Sequence, residues 1–428
     1  MGRGDREPLT IRPHLRLGLE REQGKPGNRL GLGSRILIGM AVGAIAGALL
    51  GERVTVLQPV GDLFIRLLVL AAVPLVFFNL LAGITTLTDL GTLGRLTTKF
   101  LTYFVATTIV AVLCGIAAMQ VFGPGVGMTL RAPVQQDASA APSALQILMD
   151  LLPANFVRAL AEGNVAQVVV AAIIIGVATL LLSEGPRDRL RSAFADLAEL
   201  LRKIVNMILT VAPIGIGALV AVTAGRYGAA LVGPMTRFVV GVTAAHIVMV
   251  GLYMSLLKLF SVHKPARFLE ATWTVWATTV ATTSSLASLP VALEVADKMR
   301  LPRSVYAFTL PLGVQINKNG TAAMLGAVVV FTAQAIGMPL TMGDLLTIVL
   351  LGSLLSAGSG GIPGGGFVVA LVLVEAFHLP LELAAIVGGI YRLVDMGNTT
   401  VNVMGNMAGT VLVADSERAL VPAQEVAL

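Results

Sequence analysis

Cysteine is nearly missing. Cys114 stands alone, so no disulfide framework exists and no thiolate zinc site can be assembled. Histidine is almost as scarce, and His14, His246, His263 and His378 lack the spacing of a metal cluster. Charge is the most telling shortage. Asp, Glu, Lys and Arg together make 13% of the 428 residues, against about 25% in a typical soluble domain. That is too little to cover a surface facing water, while 56% of the residues are hydrophobic. The apolar surplus must face lipid. No cofactor motif is present, and no cofactor is expected.

The net charge of +6 is partly local, because residues 1–35 carry eight basic groups against four acids. A basic segment ahead of a span reads as cytoplasmic under the positive-inside rule. Residues 1–34 are therefore expected to form a cytoplasmic tail. No apolar run of signal-peptide type precedes the first span, so cleavage is not expected. Nucleic acid could also use such a tail, but no aromatic interleaving or basic fold follows, and no nucleic-acid partner is expected.

Apolar runs lie at 36–51, 63–87, 101–123, 165–182, 204–224 and 237–256. Each approaches the ~20 residues that cross a ~30 Å hydrocarbon core as a helix. Open strands would leave backbone donors unpaired in lipid, and barrel-type alternation is absent. Gly123–Pro124–Gly125, the polar stretch 131–143 and the amphipathic stretch 184–203 read as loop signals between spans.

After residue 262 the pattern changes. Thr282–Thr283–Ser284–Ser285 through Leu289–Pro290 interrupts one apolar stretch, Asn317–Lys318–Asn319–Gly320–Thr321 a second, and Ser359 to Gly366 a third. The arms are too short to span, so the first and third breaks read as re-entrant hairpins whose tips must be buried in protein or line a cavity. The order is hairpin, broken helix, hairpin, polar helix, as if one unit were used twice. Paired interruptions of this kind point to a transporter's binding site. In the last helix Arg392, Asp395, Thr399, Asn402 and Asn406 recur at spacings of 3, 4, 3 and 4 and share one face. An ionisable residue at membrane depth reads as functional by default, although Arg392 and Asp395 could instead form a structural i, i+3 pair.

These motifs carry a resemblance. Thr283–Ser284–Ser285, Gly361–Ile362–Pro363–Gly364–Gly365–Gly366, Asn317 to Thr321, and Asp395 to Asn402 with Gly405–Asn406 resemble, in order, the motifs of the glutamate transporter family, the dicarboxylate/amino acid:cation symporters. Gly61 to Arg66 with Val73 to Phe77 is similar to its second span, and Ala212–Pro213–Ile214–Gly215 to its fifth. The likeness runs from about residue 35 to 415. It implies an all-α polytopic membrane protein with about eight transmembrane helices plus two re-entrant hairpins, built from inverted repeats. It further implies a homotrimer among lipid in the prokaryotic inner membrane, working as an elevator. Residues 35–262 would be the first six spans, 263–415 the core transport domain, and 416–428 a C-terminal tail.

By the same resemblance, Asp395 holds a substrate amino group, Thr399 and Asn402 contact its ammonium and carboxylate ends, and Ser284, Ser285 and the hairpin amides take the α-carboxylate. Thr283, Thr321, Gly361, Ile362, Pro363, Gly366, Arg392 and Asn398 complete the expected substrate site. Thr107, Thr108, Asn317, Lys318, Asn319, Asn402 and Asn406 occupy the cation-site positions.

The departures matter as much. Where acidic-amino-acid transporters place an arginine that grips the side-chain carboxylate, this chain has Asn398, and it has Thr283 where some relatives place an alternative arginine. Losing a bidentate fork favours a neutral or polar amino acid, while Arg392 on the same face keeps an acidic substrate open. The sodium-site carboxylates are replaced by Asn319 and Asn406, and Lys318 replaces a methionine. Hard cations want compensating negative charge, and an ammonium nearby repels them in a low dielectric. Lys318 therefore reads as a tethered stand-in for a cation, or as a residue tolerated in a watery cavity; it and Asp395 are candidate proton carriers. The expected function is sodium-independent transport of amino acids. The alternative is a sodium- or proton-coupled dicarboxylate, glutamate or aspartate symporter. A channel would need a repeated filter, and an enzyme a nucleophile–base or metal constellation; neither pattern is present.

Overall fold

The structure, a computed structural model, describes residues 32–85, 92–128, 152–162, 165–359 and 364–418. All regular structure among them is helical. The first half contains α1 (Leu32–Leu50), a 3-10 turn (Gly51–Leu57), α2 (Gln58–Thr85), α3 (Thr92–Phe122), α4 (Phe156–Glu162), α5 (Val165–Leu180), α6 (Glu184–Thr210), α7 (Ala212–Tyr227) and α8 (Val232–Phe260). The second half contains α9 (Pro265–Ala271), α10 (Trp273–Thr282), α11 (Ser285–Lys298), α12 (Arg303–Ile316), α13 (Asn319–Ala335), α14 (Met342–Gly358), α15 (Gly365–Ala376) and α16 (Leu381–Arg418).

The stretches Ser34–Leu67, Arg95–Phe122 and Val232–Phe260 are each long and apolar enough to cross a membrane. Gly123 ends α3 in a turn with positive φ, as its loop signal implies. The stretch 131–143 lies outside the described residues, as do the two tails apart from Leu32 to Ser34 and Ser416 to Arg418.

Two expectations are corrected. Residues 204–224 are not one straight helix: α6 and α7 meet at Val211 with a bend of 56°. Pro213 sits in the first turn of α7, where its missing N–H costs nothing but where it could not continue α6. The stretch 184–203 is no loop but the first part of α6, with Glu184 in its first turn. Ala198, Val205, Ile208 and Leu209 form the buried stripe of that helix, which packs along α2. Asp188, Arg189, Asp196, Glu199 and Lys203 are exposed, while Arg187, Arg191 and Arg202 follow the stripe and are half-buried. A smaller correction concerns Pro290, which lies inside α11 rather than in the break, now confined to Thr283–Ser284.

α1 packs on α7 through small residues. Gly39, Gly43 and Gly47, spaced by four, lie on the backbone of Pro213, Gly217 and Ala221, with no room for a Cβ at any of the three. In lipid, where apolar burial between helices gains little, such close backbone approach is what holds a pair together. α13 lies at the opposite extreme of exposure: every residue from Asn319 to Ala333 is buried, enclosed by α3, α8, α14, α15 and α16.

The end of α16 is bolted by polar contacts. Glu417 bonds Arg95 at 2.8 Å and Lys99 at 2.7 Å, and Lys99 also donates to Ser416. Asp415 accepts from the Ser261 hydroxyl, the Val262 amide and His263 Nδ1, joining α16 to the end of α8. The hydrogen bond and charge of Arg95 hold the Glu417 carboxyl below the usual carboxylate range.

A depressed carboxyl pKa gives stability that is complete above the unfolded-state value and is lost as pH falls through the folded one. In thermal melts between pH 7 and pH 3, Glu417→Gln is expected to melt lower than wild type at neutral pH and to show a shallower acid decline. Gly43→Val is expected to destabilise the detergent-solubilised protein by about 1–3 kcal/mol, the usual scale of overpacking, read as a lower melting temperature. Gly251→Val, at a helix position with open space around it, is the control.

Candidate functional site

A helix that stops inside a membrane must hand its freed backbone groups to protein. The break between α12 and α13 does so through Asn402 of α16. Its Oδ1 accepts from the amides of Gly320 and Thr321 at 2.8 and 3.3 Å, and its Nδ2 donates to Thr321 Oγ1. Gly320 lies directly on the backbone of Asn398, leaving no space for a side chain. α16 is thereby pressed against the break, and its polar face looks into the core.

Beside the break sits a neutral network. Thr108 donates to Asn319 Oδ1 at 2.8 Å, and Asn319 Nδ2 donates to Thr107 Oγ1 and to the Tyr253 hydroxyl at 3.0 and 2.9 Å. Thr107 passes its own proton to the carbonyls of Tyr103 and Phe104. Tyr253 reaches the Val401 carbonyl and Tyr103 that of Gly405. Three of the expected ion-site residues thus meet, the Asn319 oxygen accepting from the Thr108 hydroxyl and the Thr107 oxygen from the Asn319 amide. Asn317 and Asn406 are buried with neither side-chain amide atom hydrogen-bonded among the described residues. Asn406 lies against Gly313 and Asn317 against Gly405, so the two flank the same break.

Asp395 is 5% exposed. Its Oδ1 accepts from the Tyr391 hydroxyl at 2.9 Å and its Oδ2 from the Gly364 amide at 3.3 Å. Gly364, with φ of 84°, opens α15. A fixed carboxylate therefore faces the start of the second hairpin's return arm. Lys318 caps α13 and is 1% exposed, and its ammonium has no hydrogen-bond partner among the described residues. The ammonium and the Asp395 carboxylate lie within electrostatic range but form none of the ion pairs among the described residues.

The remaining expected residues divide. Arg392 does not pair with Asp395; it donates to the Thr283 hydroxyl and to the Ala281 carbonyl, tying α16 to the first hairpin tip. Thr283 holds the left-handed conformation at φ 49°, and Ser284 caps α11 by accepting from the Ala287 amide. Ser285, Thr321 and Thr399 are buried. Gly366 packs against Tyr391 and Thr321 with no room for a Cβ. Gly361, Ile362 and Pro363 lie outside the described residues. Among the described residues no group of three or more His, Cys, Asp and Glu could hold a metal ion.

Sequence reasoning missed four residues here. Tyr391 stands four before Asp395, on the same helical face, and that spacing could have found it. His246 is an ionisable group within a span and could have been flagged on that ground alone. Tyr103 and Tyr253 gave no signal, since their hydroxyls meet the site only through tertiary packing.

Asn319→Leu is expected to strip three side-chain hydrogen bonds and leave the Thr108 hydroxyl without its acceptor, while Thr107 and Tyr253 keep their backbone carbonyls. The cost is about 1–3 kcal/mol, the scale of one orphaned buried group, checked by thermal melting of the purified protein.

A family model described as the sodium:dicarboxylate symporter family matches residues 32–416. The proton/sodium-glutamate symport protein of Geobacillus stearothermophilus is 27% identical over 402 residues, covering 91% of this chain and 95% of that protein. The proton/glutamate-aspartate symporter of Bacillus subtilis (strain 168) is 30% identical over 398 residues, covering 90% and 94%. The C4-dicarboxylate transport protein of Xanthomonas campestris pv. campestris (strain B100) is 31% identical over 403 residues, covering 90% and 88%.

Proposed function

This chain belongs to the sodium:dicarboxylate symporter family and is a multi-pass membrane transporter of small molecules rather than an enzyme, and from that premise we propose that it carries amino acids without sodium. The observation that supports an amino acid is Asp395: a buried carboxylate, oriented by Tyr391 and Gly364, that closes no ion pair among the described residues although Arg392 and Lys318 lie within electrostatic range. Such a group is suited to an ammonium brought in by the substrate. The unbonded α-carboxylate would meet the first hairpin tip around Ser284 and Ser285, whose helix α11 presents its N-terminus there.

Sodium independence is supported by the residues at the break. Asn319 and Asn406 provide no charge, the Asn319 oxygen is already occupied by Thr108, and Lys318 brings a positive charge into the same buried region. A sodium ion there would face net repulsion in a medium where charges are poorly screened. In this reading the Lys318 ammonium serves as a permanent cation. The relatives named for glutamate and aspartate support an amino acid as substrate, and the reading carries with it an elevator movement within a trimer in the inner membrane, N-terminus in the cytoplasm.

A dicarboxylate is the second reading. It is favoured by the unpartnered ammonium of Lys318 and by the relative named for C4-dicarboxylates.

Titrating purified protein with amino acids and with succinate, in choline and in sodium buffers, separates these. Amino acids are expected to raise the melting temperature equally in both salts, following the ligand-linkage relation. Sodium tightening the binding by about tenfold, ~1.4 kcal/mol, would sink the sodium-independent reading, and stabilisation by succinate alone would replace the substrate. Asp395→Asn is expected to weaken amino-acid binding by at least about tenfold, on the scale of a lost charge-assisted hydrogen bond.

A further inference from the structure

His246 of α8 and Asn398 of α16 are both buried and joined at 3.0 Å, His246 Nε2 to Asn398 Oδ1. An amide oxygen only accepts, so the shared proton sits on Nε2 and the histidine is the donor. The same imidazole packs on Gly397, where a Cβ would strike the ring. The ring is therefore held on the backbone beside Asn398 as well as on its side chain. The other end of the amide is different. Asn398 is fully buried and its Nδ2 closes no hydrogen bond among the described residues, although it is turned toward the Tyr391 hydroxyl that donates to Asp395.

We propose that His246 is a positioning residue for substrate selection: by holding the Asn398 oxygen it fixes the amide so that Nδ2 alone is offered to the substrate's side chain. This deepens the amino-acid reading above and rests on it. An amide that could turn would present oxygen or nitrogen alike and select nothing. Pinned by His246, it presents only N–H. The matching side chain ends in an uncharged hydrogen-bond acceptor, as in serine or asparagine. An apolar side chain leaves a buried donor unpaired, which is the stronger form of discrimination. A second carboxylate would meet a neutral amide rather than a paired cation.

The experiment is isothermal titration of the full chain with L-serine, L-asparagine, L-alanine and succinate, in wild type, His246→Leu and His246→Gln. Wild type is expected to prefer serine or asparagine over alanine by about tenfold, the scale of one unpaired buried donor. His246→Leu is expected to reduce that preference to about twofold or less, and His246→Gln, whose amide nitrogen can replace Nε2, to restore most of it. An unchanged preference in His246→Leu overturns the proposal, as does an equal weakening of all three amino acids or a failure of His246→Gln to rescue. Should His246→Leu not fold, Asn398→Leu with His246 intact must also erase the preference; if it does not, the proposal falls. Wild-type binding of succinate but of no amino acid overturns the substrate reading and this inference with it. Wild-type binding that favours alanine overturns this inference alone.

Discussion

A transmembrane helix interrupted in the middle has to satisfy its own open ends without water, and much of this structure follows from how that is done. At the break before α13 the work falls to one side chain, Asn402, which accepts from two successive amides and returns a donor to Thr321. That clamp sets the register of α16 against α13. Once Gly320 lies on Asn398, Asp395 about one turn before it and Asn406 about two turns after it are fixed on opposite sides of the break. The hairpins are then arranged around this pair, since α10, α11 and α15 all pack on α16.

Electrostatics in the core are sparse and nearly balanced. One carboxylate and one ammonium, Asp395 and Lys318, are buried on facing elements, with Arg392 within electrostatic range of the first and Arg202 of the second. Asn319 is held there by three hydrogen bonds to threonine and tyrosine partners. Asn317 and Asn406 retain amide atoms without a hydrogen-bond partner among the described residues.

The helical membrane fold was legible in the apolar runs and the charge shortage, because lipid permits so few alternatives. The breaks at Thr283–Ser284 and Asn317–Lys318 were legible too, as small polar residues inside apolar stretches. The loop expected at 184–203 failed because charge density was weighed above periodicity, and a helix lying on an apolar surface needs only one buried stripe. The bend at Val211 was hidden because Pro213 is compatible with both the end of one helix and the start of another. At the site, Asp395, Asn402, Thr399 and Asn406 could be placed on one face from spacing alone. Whether Arg392 turned toward Asp395 or toward Thr283 could not, since both options satisfy the same sequence. The roles of Tyr253 and Tyr103 depend on contacts across more than a hundred residues and leave no local trace.

α16 is 38 residues long, about 57 Å at 1.5 Å per residue. It is tied to the first hairpin tip through Arg392, roughly a third of the way along, and at its far end to α3 and α8 through Asp415 and Glu417. A rod held at two separated points behaves as a strut. Because the side chains of Asp395, Asn398 and Asn402 project from the middle of that strut, their mutual spacing is insulated from movements elsewhere. Adjustment to substrates of different length would have to come from the hairpin tips, where Thr283 and Gly364 already occupy left-handed backbone.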